Sequence, residues 1–133
     1  MTKIRVQGKP QPKQRARVTK WGSYTPPETV AYEKLVAMTW GNRPMLQGAV
    51  SMKVTCVFKI PKSRKDLAVG QVHTQKPDAT NVTKCIEDGL NGRAYKDDSQ
   101  IVDSRTVKVW GLDEYVEVEL EEVDIKEVTD ETR

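Results

Sequence analysis

The sequence predicts an α+β fold: a small mixed β-sheet with helices packed on one face, in a single domain. Three observations carry that prediction. Residues 2–8 and 49–60 alternate apolar and polar positions, and 101–110 and 115–120 form two further strand-like segments. Apolar residues recur at helical spacing in 25–40 and 80–90, so helices alternate with strands along most of the chain. The 133 residues contain no internal repeat and no composition break that would set off a second domain. The domain is expected over residues 1–123, with 124–133 as an acidic, frayed C-terminal tail.

In the first strand, Thr2 to Gly8, Ile4 and Val6 share one face. Lys9 to Ser23 is a basic loop punctuated by Pro and Gly, ending near Trp21. Thr25-Pro26-Pro27-Glu28 reads as a Thr-x-x-Glu capping box with proline at the first helical position. A helix is expected from there to Trp40, with Ala31, Leu35 and Met38 on its buried face, stopped by Gly41-Asn42 and Pro44. Val50, Met52, Val54, Cys56, Phe58 and Ile60 give the clearest strand in the chain. Pro61 to Pro77 is a second basic loop, and Val82, Cys85, Ile86 and Leu90 define a second helix over Thr80–Leu90, closed by Asn91-Gly92. Ile101–Trp110 and Tyr115–Leu120 are expected to be strands joined by a tight turn at Gly111-Leu112-Asp113.

Hydrophobic residues make up 37% and charged residues 31%, which excludes a wholly disordered chain. No apolar run approaches the ~18 residues that cross a bilayer, so no membrane partner is expected. Met1-Thr2-Lys3-Ile4-Arg5 reads as the start of a strand rather than a leader, because no apolar segment follows it. Cys56 and Cys85 fall inside patterned segments, so both read as reduced core thiols of a cytoplasmic protein rather than a disulfide or zinc framework.

The net charge of +3 conceals a segregation. Residues 1–65 hold 14 Lys and Arg against two acids and carry +12; residues 66–111 carry −1; residues 112–133 carry −8. A +12 half concentrates polyanions. Charge runs are also found as plain solvated faces, and charge alone fits an acidic protein partner too.

The stretch most informative about chemistry is Lys76–Gln100, KPDATNVTKCIEDGLNGRAYKDDSQ. Asp78 stands at the entry of the second helix, where a carboxylate favours the positive end of the helix dipole. Asp97 and Asp98 precede the third main strand, and one helix and a turn can fold the two acidic clusters onto one site. Hard oxygen ligands suit Mg²⁺ or Mn²⁺, while one histidine and two buried-looking cysteines argue against zinc. The plainer alternative makes Asp78 a helix cap and Asp97-Asp98 a turn. Thr80, Lys84 and Asp88 share one helix face. Lys84 is either a cation for a scissile phosphate or an ordinary helix-surface partner of Asp88.

Lys-Pro-Asp78, Asn81, Asp88-Gly-Leu90-Asn91-Gly92 and Asp97-Asp98-Ser99-Gln100-Ile101, in this order, resemble the signature block of the RusA family of Holliday-junction resolvases. The opening Gly8-Lys9-Pro10, with Lys13, Gln14 and Arg15 and then Tyr24-Thr25-Pro26, is similar to how those proteins begin. The resemblance implies a homodimeric, Mg²⁺-dependent endonuclease that nicks four-way DNA junctions symmetrically in recombination and repair, chromosomal or phage, with no organic cofactor. It makes Asp78 and Asp98 catalytic metal-binding carboxylates and Lys84 the essential lysine, with Asn81 just inside the site. One departure stands out: where the family reads Asp-x-Asp-Asn, this chain reads Asp78-Ala79-Thr80-Asn81. A threonine hydroxyl ligates Mg²⁺ without bringing charge. Either the site is rebuilt around Asp97 or Asp88, with Glu87 a more distant candidate, or it is weakened into a branched-DNA-binding module without activity. In either case Lys13, Arg15, Arg17 and Lys20 of the first loop, and Lys62, Arg64, Lys65 and Lys76 of the second, are expected to track phosphates. Trp21 and Tyr24 are expected as partial core or interface residues, with stacking on unpaired bases as the alternative.

Overall fold

The computed structural model describes residues 1–124. The expected tail, apart from Asp124, therefore lies outside the described residues. In chain order the elements are β1 (Thr2–Gln7), β2 (Arg17–Thr19), β3 (Gly22–Tyr24), α1 (Pro27–Trp40), β4 (Val50–Lys59), α2 (Ala79–Leu90), β5 (Ile101–Gly111) and β6 (Tyr115–Glu122). A short 3-10 turn at Asp98–Gln100 leads into β5. The main sheet has the order β1-β6-β4-β5, and β2 and β3 form a separate two-stranded hairpin. Parallel β4–β5 and antiparallel β4–β6 and β1–β6 pairing make the sheet mixed. The α+β expectation holds.

Alternation decides which face is covered. Ile4 and Val6 of β1, Val116, Val118 and Leu120 of β6, and Val50, Met52, Val54, Cys56 and Phe58 of β4 are all buried together with α1 and α2 residues in one core. The opposite face carries charge instead: Arg5 pairs with Glu117 at 3.2 Å, and Lys3 lies 3.5 Å from both Glu117 and Glu119. A sheet solvated on one side gives this pattern. Both thiols are buried and free, and burial pushes each up to about 12. Among the described residues no helix is long and apolar enough to cross a membrane.

Three expectations need correcting. The buried face of α1 is Thr29, Tyr32, Val36 and Trp40, while Leu35 and Met38 are exposed. Two apolar stripes run along this helix, and the one bearing the two aromatic rings is buried because each ring removes roughly 150–250 Å² from water. The cap of α1 is Pro26, with no side-chain hydrogen bond, so the capping box at Thr25 does not form. The link between β5 and β6 closes no hairpin, because β4 lies between them. Residues 112–114 instead step across the end of β4, where Lys59 pairs with Gly111 and Val57 with Tyr115. Two strand spacings are about 9.6 Å, within reach of three extended residues.

Two details of packing position the site. Gly89 lets α2 close onto α1, since a Cβ there would lie 2.8 Å from Val36 Cβ and 3.0 Å from the Glu33 carbonyl oxygen. On β5, Ser104, Thr106, Lys108 and Trp110 pair with Met52, Val54, Cys56 and Phe58, and so share the helix-covered face. The core thus ends in a polar strip under one flank of α2.

Candidate active site

α2 carries the site because its pattern has two sides. Val82, Cys85, Ile86 and Leu90 are buried, leaving Asp78, Thr80, Asn81, Lys84, Glu87 and Asp88 at the rim or in solvent. Asp78 is the N-cap of α2, yet its side chain makes no capping hydrogen bond, so its carboxylate remains available to a ligand. The backbone before it is held from β5: the Lys108 ammonium donates to the carbonyls of Gln75 (2.5 Å) and Pro77 (2.7 Å). Motif and spacing alone do not mark Lys108. Its one signal in the sequence is a lysine in phase with Trp110 on an inward-facing strand position.

The first turn of α2 separates two open clefts. One, of about 440 Å³, is lined by Asp78 and Asn81 together with Lys9, Lys13, Lys76 and the prolines Pro10, Pro12 and Pro77. The other, of about 450 Å³, is lined by Thr80, Thr83, Lys84 and Glu87 from α2 and by Ser104 and Thr106 from β5. The hydroxyls of Thr83 and Thr106 are hydrogen-bonded to each other, tying α2 to the strand at the cleft floor.

At the far end of the second cleft the charges converge. Lys84 Nζ lies 3.3 Å from Asp88 Oδ1 and 3.8 Å from Asp98 Oδ2. The charge of Asp88 and its hydrogen bond, with Asp98 adding a smaller share, raise the Lys84 pKa above the ordinary lysine value. Lys84 is therefore a fixed cation at neutral pH, not a base. Burial raises the Glu87 pKa; Lys84 opposes this, and the neighbouring Asp98 and Asp88 reinforce it. The chain thus gathers more carboxylate here than Lys84 neutralises.

The remaining candidates divide. Asp97 accepts from Ser99 N at 3.0 Å and caps the 3-10 turn in a capping box with Gln100, and the Ser99 bond lowers its pKa. Of the residues expected on phosphates, Arg15, Arg17 and Lys20 are exposed on and beside the β2–β3 hairpin, and Lys62, Lys65 and Lys76 are exposed in the second loop. Arg64 is engaged by Asp66 through two 2.9 Å hydrogen bonds. Lys13 is turned inward, 2.7 Å from Glu33 and 3.0 Å from Asp88. Partial burial works against its charge, but the hydrogen bonds to Glu33 and Asp88 outweigh that and raise its pKa. Among the described residues no three His, Cys, Asp or Glu side chains converge closely enough to enclose a metal ion.

Comparison with known proteins gives matches over most of the chain. The family model described as Endodeoxyribonuclease RusA matches residues 7–121, which include every site residue named above. The chain is also 37% identical over 100 residues to "Uncharacterized protein YqaN" of Bacillus subtilis (strain 168), covering 69% of this chain and 70% of that one.

Proposed function

The chain belongs to the RusA family of endodeoxyribonucleases, and from that premise we propose that it resolves four-way DNA junctions by divalent-metal-dependent hydrolysis, Mg²⁺ or Mn²⁺ serving as cofactor. The observation that carries this reading is Lys84 held between Asp88 and Asp98 at the end of an open cleft, one helical face away from the uncommitted carboxylate of Asp78.

The donor chemistry fits a hard cation: Asp78, whose side chain makes no capping hydrogen bond, and Asp98 supply carboxylate oxygens, and Thr80 a hydroxyl. Asp78 and Asp98 would hold the metal, with Thr80 and the uncapped oxygen of Asp97 as further donors and Asn81, Asp88 and Glu87 around them. A bound divalent cation supplies Lewis-acid polarisation of the phosphate and a hydroxide nucleophile near neutral pH. The residues of this chain do the rest. Lys84 places a permanent positive charge where the phosphate gains negative charge, stabilising the transition state more than the bound substrate. Asp88 and Asp98 fix its ammonium from two sides. Lys9 and Lys76 beside Asp78, with the exposed cations of the two basic loops, hold the backbone without reading sequence.

Cutting both strands symmetrically needs two copies, and the exposed Leu35 and Met38 on α1 support a homodimer. The two free thiols support a reducing compartment, the cytoplasm, and the activity would serve recombination and repair.

The test is a cleavage assay on a synthetic four-way junction with and without Mg²⁺ or Mn²⁺. Paired nicks are expected from the wild type and none from Asp78→Asn, Asp98→Asn or Lys84→Ala, with junction binding retained in all three. Branch-selective binding with no cleavage in either metal would move the chain to a silent binding module, the reading that Thr80 favours.

A further inference from the structure

Every residue of the β2–β3 hairpin is exposed, and its side chains contribute nothing to the core. Val18 is 82% and Trp21 87% exposed, whereas Trp40 and Trp110 are buried at 1% and 7%. A two-stranded hairpin is marginal by itself, and large exposed apolar side chains mark contact sites. The apex is nonetheless built to hold one shape. Thr19 pairs with Gly22 across the two-residue loop Lys20-Trp21. The Thr19 hydroxyl donates to the Gly22 carbonyl at 3.0 Å and accepts from Trp21 N at 3.2 Å. Gly22 takes a φ of +123°, which only glycine adopts without strain. The Lys20 ammonium lies 5.1 Å from the Trp21 ring centre.

The chain leading into the hairpin is tied to the active-site helix at Lys13 and to α1 at Gln14. Lys13 N donates to the Asn81 carbonyl at 2.8 Å, and Gln14 N donates to the Thr29 hydroxyl at 3.2 Å. Trp21 therefore projects from the first turn of α2 on an anchored arm. Arg15, Arg17 and Lys20 line that arm and form no ion pair among the described residues. A flat aromatic face with Lys20 beside it, on an arm that carries Arg17 and Arg15 further down, complements a planar ring flanked by phosphates. Bases inside a continuous duplex already stack on their neighbours; a base at a strand-exchange point or in a single strand has a face to offer.

Resting on the reading of this chain as a branched-DNA nuclease, we propose that Trp21 at the hairpin apex is a stacking wedge that takes an unstacked base at the branch point, with Arg15, Arg17 and Lys20 on the adjoining phosphates.

Trp21 is the solvent-exposed tryptophan beside two buried ones, so intrinsic fluorescence reports on it. Full-length protein is titrated without divalent metal, in EDTA, against a four-way junction, a fork with single-stranded arms, and a blunt duplex. Quenching by the junction and the fork, weak quenching by the duplex, and loss of all three responses in Trp21→Ala are expected. In gel-shift titrations Trp21→Ala should lose about tenfold or more in junction affinity, the contribution of a single stacked base. Its duplex affinity should change far less, and Trp21→Phe should keep most of the junction affinity. An unchanged melting temperature would confirm that Trp21→Ala folds.

A Trp21→Ala variant that binds junctions as tightly as wild type overturns the wedge, and wild-type cleavage of the same junctions would show that the nuclease reading survives it. Equal quenching by blunt duplex overturns branch recognition. Self-association that Trp21→Ala abolishes without changing junction affinity assigns the hairpin to a second copy of the chain instead. Failure of the wild type to bind any branched DNA removes the wedge and the nuclease reading together.

Discussion

Lys13 sits 3.0 Å from Asp88 and 2.7 Å from Glu33, so one ammonium joins the base of the hairpin to both helices. Asp88 in turn touches Lys84, which touches Asp98. Glu33, Lys13, Asp88, Lys84 and Asp98 form an alternating line of charge from α1 to the start of β5. Replacing Lys13 by Met leaves Glu33 without its cation and Asp88 with Lys84 alone. The expected cost is about 1–2 kcal/mol, between the values for exposed and buried pairs, seen as a melting temperature lower by several degrees. A melt that matches wild type would make the pair dispensable.

The same geometry separates Lys13 from its basic neighbours. The double variant Arg15→Ala/Arg17→Ala should weaken binding of every DNA form and reduce the salt slope by about 0.9 for each phosphate no longer neutralised. Lys13→Met should leave that slope unchanged, because its charge is already engaged inside the protein. A slope reduced by Lys13→Met would put Lys13 on the DNA.

Stability should also fall in mild acid through His73. Its ring stacks on Phe58 at 3.9 Å and lies 4.3 Å from Trp110, and burial, with Lys108 nearby, lowers its pKa. Below the ordinary histidine value of about 6.5 the unfolded chain takes up the proton before the folded chain does, so stability drops as pH falls. His73→Phe keeps the aromatic stack and removes the titration. The wild-type melting temperature should decline between pH 7 and pH 5 more steeply than that of His73→Phe; parallel curves would exclude the histidine as the cause.

At Thr80 the chain departs from its family. Thr80 and Glu87 line the same cleft with Lys84. An aspartate at 80 adds a like charge to a wall where Glu87 is already harder to ionise, and should raise that carboxylate further. Cleavage by Thr80→Asp at limiting Mg²⁺ is expected to be unchanged or lower. A sizeable gain would identify position 80 as the missing ligand.

The fold is legible in the sequence where side chains carry a period. β1, β4, β6 and α2 fall within a residue or two of their expected bounds, because each buries one face; β5 does so too, although only Trp110 and Gly111 of it are buried. The β2–β3 hairpin reads as loop because its strands bury nothing and leave no alternation to find. The buried face of α1 is ambiguous in the sequence because Leu35 and Met38 keep the same spacing as Tyr32, Val36 and Trp40, and only the packing partner selects between them. The candidate carboxylates are identifiable from motif order. The inward turn of Lys13 is not, since its partners come from two helices distant in sequence. Arg64 likewise reads as a free cation although Asp66 engages it.

The placement of β6 between β1 and β4 carries a consequence for how the protein is made. Among the described residues the first strand has its sheet partner in the last, through pairs such as Thr2 with Leu120 and Val6 with Val116. Such end-to-end pairing gives high contact order and slow folding. During synthesis the cationic N-terminal half emerges while its neighbouring strand is still unmade. Chains stopped before residue 115 would have an unpaired β1 and a bare edge on β4. Closure of the sheet is therefore tied to completion of β6, and a truncated translation product would be a substrate for proteases rather than a loose nuclease.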